Sequence, residues 1–180
     1  MKAIKMIVPA LVLTLAAAGC ILVSGQFLID FELDNFNIST ETAVTSQVVD
    51  LNTEEDYNDH KEDLKAVADI AVLGTLTNNG GGAIGFEVWM TADETTDFTT
   101  SAQVSAGATK LWGPFVVLPG ASKTVDWNES AQLFTPAGKA LLLNEAKADG
   151  KFKVYAIGNS TTYNIDVDNG VLAIVLDFGK

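Results

Sequence analysis

Along 27–34, Phe27, Ile29, Phe31 and Leu33 alternate with the acidic Asp30, Glu32 and Asp34, the two-residue period of a strand buried on one face. A second strand is expected over 42–51, rich in Val and Thr, although Ser46 and Gln47 blur its alternation. Asn52 or Thr53 then caps a helix running to about Val67, with Thr53 and Asp56 at capping-box spacing and Glu54, Glu55 and Asp56 at the positive end of its dipole. Strand patterning returns with Ile70, Val72 and Leu76, and again with Ile84, Phe86, Val88 and Met90. The run Asn78-Asn79-Gly80-Gly81-Gly82 between them predicts a hairpin turn.

A Thr/Ser/Ala-rich loop with a short edge strand is expected over 91–109, and a strand over 110–118. Pro119-Gly120 turns the chain so that 123–127 pairs back. A second helix is predicted over 136–148, from Pro136 in its first turn to the stop at Asp149-Gly150. Three strands follow, 151–157, 162–167 and 171–178, the last two joined by a hairpin turn at Asp168-Asn169-Gly170. Many short strands with two helices on the connections predict a mainly β fold, a β-sandwich of immunoglobulin-like or jelly-roll type, as one domain over 26–180.

The N-terminus follows different rules. Lys2 and Lys5 precede an uncharged apolar stretch, 6–18, broken only by Pro9 and Thr14, which is the layout of a secretory signal. The run Leu15-Ala16-Ala17-Ala18-Gly19-Cys20 resembles the lipobox of bacterial lipoproteins. That resemblance implies a signal peptide over 1–19, a diacylglyceryl group on the Cys20 sulfur, and a short spacer over 20–25. It also implies an outer-membrane or cell-surface location, because Ile21 is not the Asp associated with inner-membrane retention. The alternative is an uncleaved signal anchor, since no charge occurs from Met6 to Ile29 and ~20 apolar residues span a bilayer. Both place the domain outside the cytoplasm, because the two lysines hold the N-terminus inside. Five spacer residues at ~3.5 Å each keep the domain within roughly 20 Å of the headgroups.

Charge narrows the partners. All 11 cations are lysine, against 23 acids; loss of Lys2 and Lys5 with the leader leaves 9 against 23, a formal −14. Such a surface repels nucleic acid and anionic headgroups, and attracts cations or basic partners. Cys20 is the single cysteine, so neither an intramolecular disulfide nor a thiolate-rich metal site is available.

Candidate chemistry is sparse. His60 is the single histidine, flanked on its helix face by Asp56 and Asp63, far short of a zinc site and more simply a solvated face. No serine sits in a Gly-x-Ser-x-Gly turn, and Gly80 to Gly82 lack the Lys-Ser/Thr of a phosphate loop. Asp50, Asn52, Glu54 and Asp56 could form an oxygen-rich Ca2+ loop, although helix capping accounts for the same residues. Trp89 and Tyr155 fall on the polar face of their strands and, with Trp112, are candidate ligand-binding aromatics for a glycan or a protein partner, unless another element covers that face. The reading is a non-catalytic, lipid-anchored binding or scaffolding domain, attached to the membrane through its N-terminal lipid and facing an envelope protein or glycan. Its rivals are a carbohydrate-binding module, a self-assembling surface subunit and a carboxylate-dependent hydrolase.

The anchor has a direct test. The intact mass of the membrane-extracted protein should match residues 20–180 plus acyl chains, and the acyl mass should vanish in a Cys20→Ala variant. A full-length, unmodified chain would mean a signal anchor.

Overall fold

Among the described residues nine strands pair, all antiparallel, into two facing sheets. In chain order they are β1 (Ser24–Leu33), β2 (Phe36–Ser39), β3 (Thr45–Asp50), β4 (Leu64–Asn78), β5 (Ile84–Thr91), β6 (Thr109–Val117), β7 (Ser122–Val125), β8 (Lys151–Gly158) and β9 (Asn164–Gly179). Four short helices lie on the connections: α1 (Glu55–His60), α2 (Ser101–Gly107), α3 (Trp127–Gln132) and α4 (Pro136–Lys147). This computed structural model describes residues 24–33, 35–40, 44–160 and 162–179; the leader, Cys20 and the start of the strand expected at 42 lie outside them.

One sheet has the order β1-β9-β4-β7, with β2 following β1 along β9, and the other has the order β3-β8-β5-β6. The chain is therefore one long hairpin folded over on itself. β5 pairs with β6, β4 with β7, β3 with β8, and β1 and β2 with β9, and successive pairs alternate between the sheets. This is the jelly-roll form of the β-sandwich rather than the immunoglobulin-like one. In β1 the alternation works as its sequence pattern requires: Phe27 and Ile29 are buried while Leu28, Asp30 and Glu32 face out.

Several local expectations give way to this long-range pairing. Strands β4 and β5 do not form a hairpin, because they belong to opposite sheets. Asn78 organises the crossing instead: fully buried, it donates to the carbonyls of Gly82 at 2.8 Å and Val117 at 3.0 Å and accepts from the Gly80 N–H at 2.9 Å. Residues 123–127 do not pair back on β6, since β7 joins β4 in the other sheet and Trp127 opens α3. Asp168-Asn169-Gly170 is no turn either, because β9 runs straight through it and both halves find partners on β4.

The helices also differ from expectation, apart from α4, which begins at Pro136 under a Thr135 cap. The helix expected over 52–67 shrinks to α1 between two single 3-10 turns, because Leu64 onward is drawn into β4. No Thr53–Asp56 capping box forms; Asp50 caps the first 3-10 turn by accepting from the Asn52 N–H at 3.0 Å. The 91–109 segment carries α2 in place of an edge strand, and there Thr100 and Gln103 form the capping box.

A kink crosses the β1-β9-β4-β7 sheet at one level. β9 carries Asn169 at φ 52°, β4 carries Gly74 at φ 139°, and β1 stops at Leu33 before β2 resumes at Phe36. The β4–β9 register shifts between Leu73 and Thr75, and the Asn169 N–H is held by the Asn35 side chain at 2.8 Å. Bulges of this kind bend strands and increase twist.

Gly74 is required there, since a Cβ would lie 3.2–3.3 Å from backbone atoms of residues 168–170. Gly74→Ala should therefore lower stability by about 1–3 kcal/mol, through strain at positive φ. Asn169→Gly, which keeps the left-handed conformation available, should stay within about 1 kcal/mol of the parent. Urea unfolding of the pair measures both.

Candidate functional site

Beneath the kink an apolar cleft of about 410 Å³ runs between the sheets. Its origin lies in side-chain size. Facing sheets stand ~10 Å apart and are held so by a layer of side chains from each. In this region many facing residues are small, Val72, Val125 and Val167 from one sheet and Val88, Val154 and Ala156 from the other, beside the larger Leu76, Leu172 and Phe86. With the kink bending one sheet, these side chains leave a slot. Val72, Val88, Val154 and Ala156 keep 7–9% of their surface exposed, whereas Ile70, Phe152 and Leu142, where helices close the sandwich, keep none.

The mouth lies at the side of the sandwich, bordered by Leu33, Phe36 and Gly170 on one sheet and by Thr45, Ser46 and Gln47 of β3 on the other. β3 pairs Thr45 with Ala156, Gln47 with Val154 and Val49 with Phe152, so Thr45 and Gln47 share the inner face with the buried Val49. The alternation that Ser46 and Gln47 blurred in the sequence thus marks the rim of the cleft. Among the described residues, every one lining it is uncharged.

Of the aromatics picked from the sequence, Tyr155 is among the residues lining the cleft while Trp89 and Trp112 are not, and the three do not form an exposed platform. Tyr155 and Trp112 are fully buried, and Trp89 is half-buried. Helix α2 and the 92–100 loop cover the outer face of β5 and β8, packing Val104 on Tyr155 and Ile157, with Phe98 5.3 Å from the Tyr155 ring. The Tyr155 hydroxyl donates to the Thr96 carbonyl at 2.8 Å. Beside it the Trp89 indole donates to the Glu87 carboxylate at 2.9 Å, and Lys110 pairs with the same carboxylate at 2.6 Å. Trp112 belongs to the main core, where its indole N–H reaches Ser130 of α3 at 3.0 Å.

The loop proposed for Ca2+ is organised by protein partners instead. Asp50 accepts from the Asn52 backbone and side chain and pairs with Lys151 at 2.9 Å; the Asn52 amide also donates to the Asp149 carbonyl. Glu54 and Asp56 lie at the start of α1, and no group of three or more metal-ligating side chains occurs among the described residues. The hydrogen bond from Asn52, reinforced by Lys151, holds the Asp50 carboxyl below its usual range, and Asp50 in turn raises Lys151. His60 is half-buried rather than solvated, its ring stacked on Phe178 at 3.8 Å between centroids.

Fold and cleft together define a jelly-roll β-sandwich with a ligand-sized apolar interior slot. No family model matches the chain, nor does any curated protein. Among solved structures the chain is similar to a Mud crab tombus-like virus structure, with a TM-score of 0.40 and 11% identity over 87% of this chain and 81% of that one. A Desmodium yellow mottle tymovirus chain gives 0.36 and 12%, over 87% of each. A latent aurone synthase (polyphenol oxidase) gives 0.39 and 15%, over 78% of this chain and 25% of that one. Likenesses this slight do not decide between functions.

Two outcomes follow from the geometry. Ala156→Leu, which adds volume inside the slot, should leave stability unchanged or raise it. Ala146→Leu, on the tightly packed face of α4, should lower it by about 1–3 kcal/mol, as overpacking does; thermal unfolding compares them. Because the folded Asp50 carboxyl sits below its unfolded value of about 3.9, its contribution to stability is present above that pH and disappears as pH falls through the lowered value. Asp50→Asn should therefore flatten the acid side of the melting temperature against pH.

Proposed function

We propose that the protein is a non-catalytic binding domain, lipid-anchored at Cys20 on the outer membrane or cell surface, that takes a small apolar ligand into the cleft between its sheets. The observation that carries this reading is the cleft itself. Its ~410 Å³ lies within the ~300–1,000 Å³ of small-molecule sites, which are apolar with a few polar groups at defined places. A sandwich core of this size otherwise packs to near-crystalline density, without a void that could hold a ligand. The sole imidazole, His60, is taken up in stacking on Phe178, away from the cleft.

The anchor and the cleft fit together spatially. Ser24, where β1 begins four residues after Cys20, and Leu33, at the mouth, are opposite ends of a ten-residue strand, ~30 Å apart. On this reading an anchor at Cys20 ties down the Ser24 end of β1, and the mouth lies toward the far end of that strand.

Self-association is a second reading, favoured by β1, whose outer edge is unpaired among the described residues and which exposes Leu28. The acids Asp30 and Glu32 on the same strand oppose pairing with a second copy.

An apolar naphthylamine dye whose emission rises on leaving water tests the main reading. The parent should enhance it saturably and Ala156→Leu should not. Equal enhancement by both would exclude the cleft. A mass that rises steeply with protein concentration would favour the second reading.

A further inference from the structure

We infer that the ligand of the cleft is a single unbranched alkyl chain with an uncharged hydrogen-bonding head, of the monoacylglycerol kind; this rests on the binding reading above and specifies its ligand. Three features select it. The slot occupies one side-chain layer between two β-sheets, so it is thin: a chain can lie between Val72 and Val154, whereas a fused polycyclic body would have to push the sheets apart. The cleft volume of about 410 Å³ is that of one small-molecule site, room for a single alkyl chain. Thr45 and Gln47 put a hydroxyl and an amide on the inner face at the mouth, where a strand of a closed sandwich would carry apolar residues.

The head is neutral because, among the described residues of the rim, none carries a positive charge that would hold an anion. No lysine lines the cleft, and the mature chain carries 9 cations against 23 acids, which repels carboxylate and phosphate heads. An ester or alcohol head can instead accept from the Gln47 amide and donate to or accept from the Thr45 hydroxyl.

The test uses the full-length protein in amphipol, photolabelled with a diazirine-bearing monoacylglycerol, with labelled peptides mapped and unlabelled competitors added. Label should fall on β4 and β8 around Val72 and Val154. Protection should improve about two- to fourfold with each added methylene until the slot is full, and level off beyond that length. Ala156→Leu should lose the mapped label. Gln47→Leu should weaken protection by the monoacylglycerol severalfold.

Protection by a rigid polycycle as good as that by the chain would overturn the alkyl assignment, with dye binding still supporting an apolar site. Equal or better protection by the fatty acid of the same length would overturn the neutral head. Label outside the cleft, or retained in Ala156→Leu, would overturn the inference; loss of dye binding in the parent as well would remove the binding reading with it.

Discussion

The pairing of β9 with three other strands is the constraint on which the rest of the structure depends. Its 16 residues pair with β1 and β2 on one side and with β4 on the other, so the last strand of the chain ties the first to the middle. Buried at alternate positions by Ile165, Val167, Leu172, Ile174 and Leu176, it fixes which residues of its neighbours face inward. A strand of this length cannot stay flat, and it accommodates its neighbours by a bulge at Asn169. The Gly74 bulge and the β1–β2 break fall at the same level because each strand must follow the bend of the one beside it.

The same bend creates the cleft. Sheet separation is set by the bulkiest side chains between the sheets, and at the helical end these are Phe152, Phe27, Tyr57 and Leu142 from strands and helices together. Under the kink, where Val and Ala stand beside Leu76, Leu172 and Phe86, the side chains leave part of that separation unfilled. A flat sheet with the same residues would settle closer and shut the slot, whereas the bulged one cannot, because its backbone is held by Asn35 on one side and by the β4 register on the other.

Elsewhere the fold closes its weak points. The edge of β6 is covered where the Gly113 N–H bonds to the Leu133 carbonyl at 3.1 Å and the Thr135 N–H to the Leu111 carbonyl at 3.0 Å. The β4 edge beyond β7 is met by α3, whose Ser130 hydroxyl accepts from the Val72 N–H at 2.7 Å. Buried polar groups are answered in the same way: among the described residues no buried side-chain nitrogen or oxygen lacks a hydrogen-bond partner. Glu87, Asn78 and Ser130 are thus structural.

The sequence by itself determined what depends on near neighbours. The alternation of Phe27, Ile29, Phe31 and Leu33 placed β1, and Pro136 with Asp149-Gly150 bounded α4, because period and breakers act within a few residues. It also held a trace of the site, in the blurred alternation at Ser46 and Gln47. The tertiary structure decided what depends on partners far along the chain. Asn78 to Gly82 and Asp168 to Gly170 carry the composition of hairpin turns, and only the pairing of β4 with β9 makes one a crossing between sheets and the other a bulge. Tyr155 lies on a strand face shared with lysines, and only the docking of α2, from a segment that reads as loop, turns it into core. The cleft was wholly out of reach of local pattern, because a void is defined by what two sheets, brought together from distant parts of the chain, fail to fill.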